Sequence, residues 1–168
     1  MLFAKAHLHA TDAQLGLLYS AQSVGVFGFA LAAGRVRRHL PFSRVILGAV
    51  IAHGLLTVSL ALSPFYRLAV ACLAGMAGLV ALMGIHMLSL RQAVVPNHLL
   101  GRVSSSLAVL VGMAMPLGAL LGGFAIERTR NVVLVFALIG GLIFAIGVIF
   151  VFTPLRNAER YVVERWGE

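Results

Sequence analysis

Long apolar runs separated by short arginine-rich clusters dominate the chain, and the charged residues mark where each run begins and ends. Asp12 and Arg35 enclose 22 uncharged residues, Arg44 and Arg67 enclose 22, and Arg67 and Arg91 enclose 23. Arg102 and Glu127 enclose 24, and Arg130 and Arg156 enclose 25. A helix needs about 20 apolar residues to cross the roughly 30 Å of bilayer hydrocarbon. Each run is long enough for one crossing, so the pattern predicts spans at about 13–34, 45–63, 67–90, 103–126 and 131–153. Barrel strands need only about 10 residues and alternate polar with apolar positions, which these runs do not. The expected fold is an all-α, polytopic membrane bundle of five transmembrane helices.

The punctuation between runs agrees with this division. Thr11 with Gln14 three residues later is a capping-box pattern opening the first span. Prolines stand between the runs at Pro41, Pro64 and Pro96, and Pro154 closes the fifth. Residues 1–10 read as an external N-terminal segment, the remnant of a missing preceding helix, ahead of a bundle over 11–155. Residues 156–168 alternate in charge, include Trp166 and read as a solvated or interfacial tail.

Composition closes off the soluble alternatives. Of 168 residues, 61 % are hydrophobic and 11 % charged, with 18 glycines besides. Globular domains run at about 25 % charged residues, and small ones have too little interior to hide this much apolar surface. The lone cysteine, Cys72, excludes an internal disulfide framework. The net charge of +8 is carried mostly by arginines. Arg35, Arg37, Arg38, Arg44, Arg91, Arg102, Arg156, Arg160 and Arg165 fall on one side of the spans, and Lys5, Arg67, Arg128 and Arg130 on the other. Basic residues in short loops stay cytoplasmic. The N-terminus is therefore expected outside, the C-terminus inside, and the charge reads as membrane orientation rather than a nucleic-acid surface.

Helices in lipid are held together by close packing through small residues. Gly28/Ala32, Ala30/Gly34, Gly48/Ala52, Ala74/Gly78 and Gly118/Gly122 are small pairs four apart. The fourth span gathers Gly112, Pro116, Gly118, Gly122 and Gly123, with Pro116 placed to kink it. Polar groups at membrane depth are costly and often functional. Tyr19, Ser20, Gln22 and Ser23 lie in the first span, His53 and Thr57 share a face of the second, and His86 and Ser89 lie towards one end of the third. A lone amide or imidazole at depth more often makes one interhelical hydrogen bond than it binds a ligand. No acidic residue lies within any run, so a coupling proton would need His53, His86 or a group elsewhere. No catalytic motif, phosphate loop or metal-ligand cluster is present, and the six histidines are dispersed, so neither an enzyme nor a cofactor or metal site is expected.

Several stretches, taken in order, resemble the C-terminal half of major facilitator superfamily transporters. Gln14-Leu-Gly-Leu-Leu-Tyr-Ser-Ala-Gln22, with Gly25, Gly28 and Gly34-Arg-Val-Arg-Arg38, is similar to the family's eighth helix and the loop after it. Arg91-Gln92, Pro96 and Leu100-Gly-Arg-Val103 resemble the loop between its tenth and eleventh helices. Pro116-Leu-Gly-Ala-Leu-Leu-Gly-Gly123 resembles the glycine-rich eleventh. The similarity covers about 11–155 and is nearest the enterobactin-exporter and macrolide-efflux branch. Arg38 stands where the family's loop motif carries an aspartate.

The resemblance implies helices eight to twelve of a twelve-helix fold whose two halves rock around a central site. It implies substrate-cavity residues among Gln22, Ser23, Tyr19 and His86, and gating or packing roles for Gly34, Arg38, Arg91, Gln92, Gly101, Arg102, Pro116, Gly118 and Gly122. The second and fifth spans, including His53, would be peripheral. The expected function is export of a small amphipathic compound, a siderophore or drug, by proton antiport across the bacterial inner membrane. The expected partners are the bilayer, the substrate, protons and the missing N-terminal half, with no nucleic acid. The alternative is a small membrane structural or assembly protein, or an inactive transporter fragment, that carries nothing.

Overall fold

The computed structural model describes residues 11–153, nearly all of them in five helices. They are α1 (Asp12–His39), α2 (Phe42–Leu62), α3 (Tyr66–Val94), α4 (Asn97–Thr129) and α5 (Val132–Val151). All five are long and apolar enough to cross a bilayer, and no strand occurs among the described residues. The expectations for residues 1–10, for Pro154 and for the tail 156–168 lie outside the described residues.

The helix boundaries follow from local chemistry. The capping box at the start of α1 is formed: Thr11 N–H donates to Gln14 Oε1 at 2.9 Å, and Gln14 N–H donates to Thr11 Oγ1 at 3.4 Å. Three helices stop at the residue before a proline, because the proline ring clashes with a helical predecessor. Leu40 (φ −123, ψ 136), Ser63 (φ −86, ψ 123) and Val95 (φ −94, ψ 127) are all extended, ending α1, α2 and α3. The turn after α4 uses different means. Arg130 takes the left-handed conformation (φ 51, ψ 20), and the Asn131 side chain accepts from Leu134 N–H at 3.0 Å to cap α5.

In space the helices run in the order α1, α3, α2, α5, with α4 meeting α5 and α3 over little of its length. Helices α1 and α3 are parallel. Leu18 packs on Tyr66 and Val70 at one end, and Ala33 on Leu82 towards the other. Helix α2 runs antiparallel to α3, seating Leu60 on Ala69 and Cys72, and antiparallel to α5 on its other flank. The ends of α1, α3 and α5 and the starts of α2 and α4 therefore share one end of the bundle.

Glycines set two of these contacts. A Cβ on Gly25 would run into the backbone of Ala74, and one on Gly78 into the Phe29 ring, so the α1–α3 crossing depends on their absence. At the α2–α5 crossing, a Cβ on Gly54 would stand 2.6 Å from Phe144 N, and one on Gly140 would stand 2.8 Å from Val58 N. Of the small pairs singled out by spacing, Ala74/Gly78 lies at a close approach. Gly28, Gly34, Gly48, Gly118 and Gly122 would each carry a Cβ with no neighbour within 4 Å. Spacing tells which residues share a helix face; it does not tell which face has a neighbour.

Helix α2 is flanked on both sides by α3 and α5. Helix α4 has no buried residue, and Pro116 sits inside a continuous helix of 33 residues.

Candidate functional site

Several hydroxyls within the spans satisfy themselves on their own helix. Ser20 donates to Gly16 O at 3.0 Å, Ser23 to Tyr19 O at 3.3 Å, and Thr57 to His53 O at 2.8 Å. Such back-bonding lets a polar side chain sit in hydrocarbon without an interhelical partner. Gln22 and the His53 ring have no such arrangement, and neither makes a hydrogen bond among the described residues. Both are half-buried, and both line one groove of about 390 Å³.

Helix α3 forms the floor of this groove through Met76, Ala77 and Val80, with Gln22 contributed by α1 and His53 by α2. The arrangement arises because α3 lies between α1 and α2, so mid-span residues of its two neighbours reach the same stretch of surface. Thr57, buried one turn from His53, reaches the Met76 sulfur at 4.0 Å and ties α2 to the floor. The groove thus offers an apolar bed with one amide and one imidazole. The amide both donates and accepts, and the imidazole does the same in its neutral form. That combination suits a compound with an apolar body and a few polar substituents.

The other expected cavity residues fall elsewhere. Tyr19 is 55 % exposed and Ser23 is exposed, and neither lines the groove. His86 is buried on α3 about three helical turns beyond the level of Met76. There it lines a separate cavity of about 310 Å³ beside Arg37. The residues of the expected gating set are similarly spread. Arg38 and Gly34 border a shallow surface at the end of α1, and Arg91 donates through Nε to Met87 O at 3.4 Å. Gln92 and Arg102 are exposed, and a Cβ on Gly101 would meet nothing within 4 Å. Gly118 and Gly122 lie on α4 away from any packed partner.

The groove's second polar group, His53, is the residue that the family resemblance set aside. Its signal was present as an uncompensated imidazole in mid-span. Recognising its pairing with Gln22 required knowing that α3 separates them. Among the described residues no three His, Cys, Asp or Glu side chains come together as a metal site.

Comparison with known proteins adds one match. The family described as transmembrane secretion effector, of the major facilitator type, matches residues 1–166. No curated protein and no solved structure matches the chain.

Proposed function

The chain belongs to the transmembrane secretion effector family, and from that membership we propose that this multi-pass membrane protein exports a small amphipathic compound through the Gln22–His53 groove. In this reading the chain supplies helices eight to twelve of the transporter, in the bacterial inner membrane, with its N-terminus outside and its C-terminus in the cytoplasm. The observation that carries it is the pair of unsatisfied polar side chains facing one apolar groove at mid-span. An unpaired amide in hydrocarbon is expensive, and a passing substrate is the partner that would repay it. Proton antiport is proposed on the same ground: His53 is the titratable side chain in the groove, and no carboxylate lines it. Protonation of its ring would exclude a cationic substrate and loss of the proton would readmit it, which is the alternation an antiporter needs.

The test is flux in proteoliposomes that hold the complete transporter and are loaded with a lipophilic fluorescent cation, with a proton gradient imposed across the membrane. Wild-type protein should move the dye against its own gradient. Gln22→Leu should lower the flux about tenfold, the worth of about one hydrogen bond in lipid. His53→Gln should remove the dependence on the proton gradient. Gly118→Ala tests the glycine-rich helix in the same assay, and it should slow turnover if α4 slides against another helix.

Equal flux in wild type, Gln22→Leu and His53→Gln would remove the groove from the path. A correctly inserted complete protein that moves nothing would favour the second reading, a non-transporting assembly protein. The observation on that side is α4, which buries no residue and leaves its glycines without neighbours.

A further inference from the structure

A second cavity lies where α1 and α3 end and α2 begins, about three turns from the groove. Its polar wall comprises Arg37, Ser89 and His86; Pro41, Phe42 and Leu90 supply apolar walls. His86 is 3 % exposed. Its Nδ1 lies 2.9 Å from Leu82 O. A carbonyl oxygen only accepts, so Nδ1 carries the proton and donates, which leaves Nε2 of the neutral ring as an acceptor. That Nε2 is buried and has no hydrogen-bond partner. The Phe42 ring stands 6.5 Å from the imidazole, centre to centre, and closes one side. At the rim Arg37 donates to Ser89 Oγ at 3.3 Å. A buried acceptor left unpaired is costly, so a ligand that brings a donor is favoured there.

The charges around the cavity specify the rest of the ligand. Arg35, Arg38, Arg44, Arg91 and Arg102 belong to this end of the bundle, and the two acidic residues among those described, Asp12 and Glu127, belong to the other. Arg37 therefore faces the cavity with no described carboxylate to pair it. Basic pockets between transmembrane helices recur as sites for phosphate-bearing headgroups.

We propose that this cavity binds a phosphate ester that also carries a free hydroxyl, the chemistry of a glycerophosphate group. The anionic oxygen takes the Arg37 guanidinium and the Ser89 hydroxyl, and the ligand's own hydroxyl donates to His86 Nε2. The same chemistry is presented by the headgroup of phosphatidylglycerol and by free glycerol phosphate. The inference does not rest on the transport reading.

The experiment follows the His86 Nε2 resonance by 15N NMR in the full chain, assigned with a His86→Gln variant, in nanodiscs of phosphatidylcholine alone or with added phosphatidylglycerol. Phosphatidylglycerol should shift the resonance and saturate, and phosphatidylcholine should leave it unmoved. Arg37→Gln should weaken the apparent affinity at least tenfold. Arg38→Gln, one residue along and outside the cavity, should not. Glycerol phosphate added to phosphatidylcholine nanodiscs distinguishes the source: a shift at millimolar concentration assigns the site to a soluble ester, and a shift with the lipid alone assigns it to the headgroup.

Equal weakening by Arg37→Gln and Arg38→Gln would mean non-specific attraction to negative membranes and would overturn the proposal. So would a resonance that neither ligand moves, or one that moves only when residues 156–168 with their three glutamates are deleted.

Discussion

Gly54→Ala isolates the contact on which the α2–α5 pair depends. The added Cβ would stand 2.6 Å from Phe144 N, 2.9 Å from Gly140 O and 2.9 Å from Phe144 Cα. All three are backbone atoms, which cannot swing aside as a side-chain tip would. Restoring an ordinary contact of about 3.4 Å requires the two helices to part by about 0.8 Å at this level. A gap of that size forfeits about a quarter to a half of each well of 0.1–0.2 kcal/mol, over some tens of atom pairs along the seam. The loss comes to about 2 kcal/mol, in line with overpacking in soluble cores. In lipid no hydrophobic force is available to press the helices back together.

The control lies on the same helix. Gly48→Ala makes the same chemical change where the new Cβ meets nothing within 4 Å, so it keeps only the gain in helix propensity, at most about 1 kcal/mol. Unfolding in mixed micelles of increasing dodecylsulfate fraction, followed by circular dichroism, should show the Gly54 variant destabilised about thirtyfold relative to the Gly48 variant. The Gly48 variant should match or exceed wild type. Equal midpoints for the two variants would refute the claim that α2 and α5 meet through Gly54.

Three further substitutions test other joints of the fold in the same unfolding assay. Tyr66→Phe removes the hydroxyl that donates to Gln14 O at 2.7 Å across the α1–α3 seam, and should cost about 0.6–1 kcal/mol. Asn131→Ala deletes the cap on Leu134 N–H and should cost about 1 kcal/mol, with Asn131→Asp recovering most of it. Arg130→Gly replaces a side-chain-bearing residue at φ 51 with one that meets no Cβ penalty there, and should stabilise by up to about 1 kcal/mol.

Much of the helical framework is legible in one dimension because its causes are local. An ionised side chain and hydrocarbon exclude each other, so the gaps between arginines mark the helices long enough to cross. The capping box at Thr11 and Gln14 involves residues three apart and forms as the pattern implies. Pro41, Pro64 and Pro96 act on the residue just before them, so they stop three helices without help from the rest of the chain.

Neighbour relations are different in kind. Nothing within α1 says that Gly25 rather than Gly28 meets α3, because both sit in equally apolar surroundings and only the docking of α3 tells them apart. The same holds for function: Gln22 and His86 looked like companions along the chain, yet one shares a groove with His53 and the other a cavity with Arg37. Packing in lipid depends on shape over a few tenths of an ångström between residues far apart in sequence, and a hydrophobicity pattern carries no record of that fit.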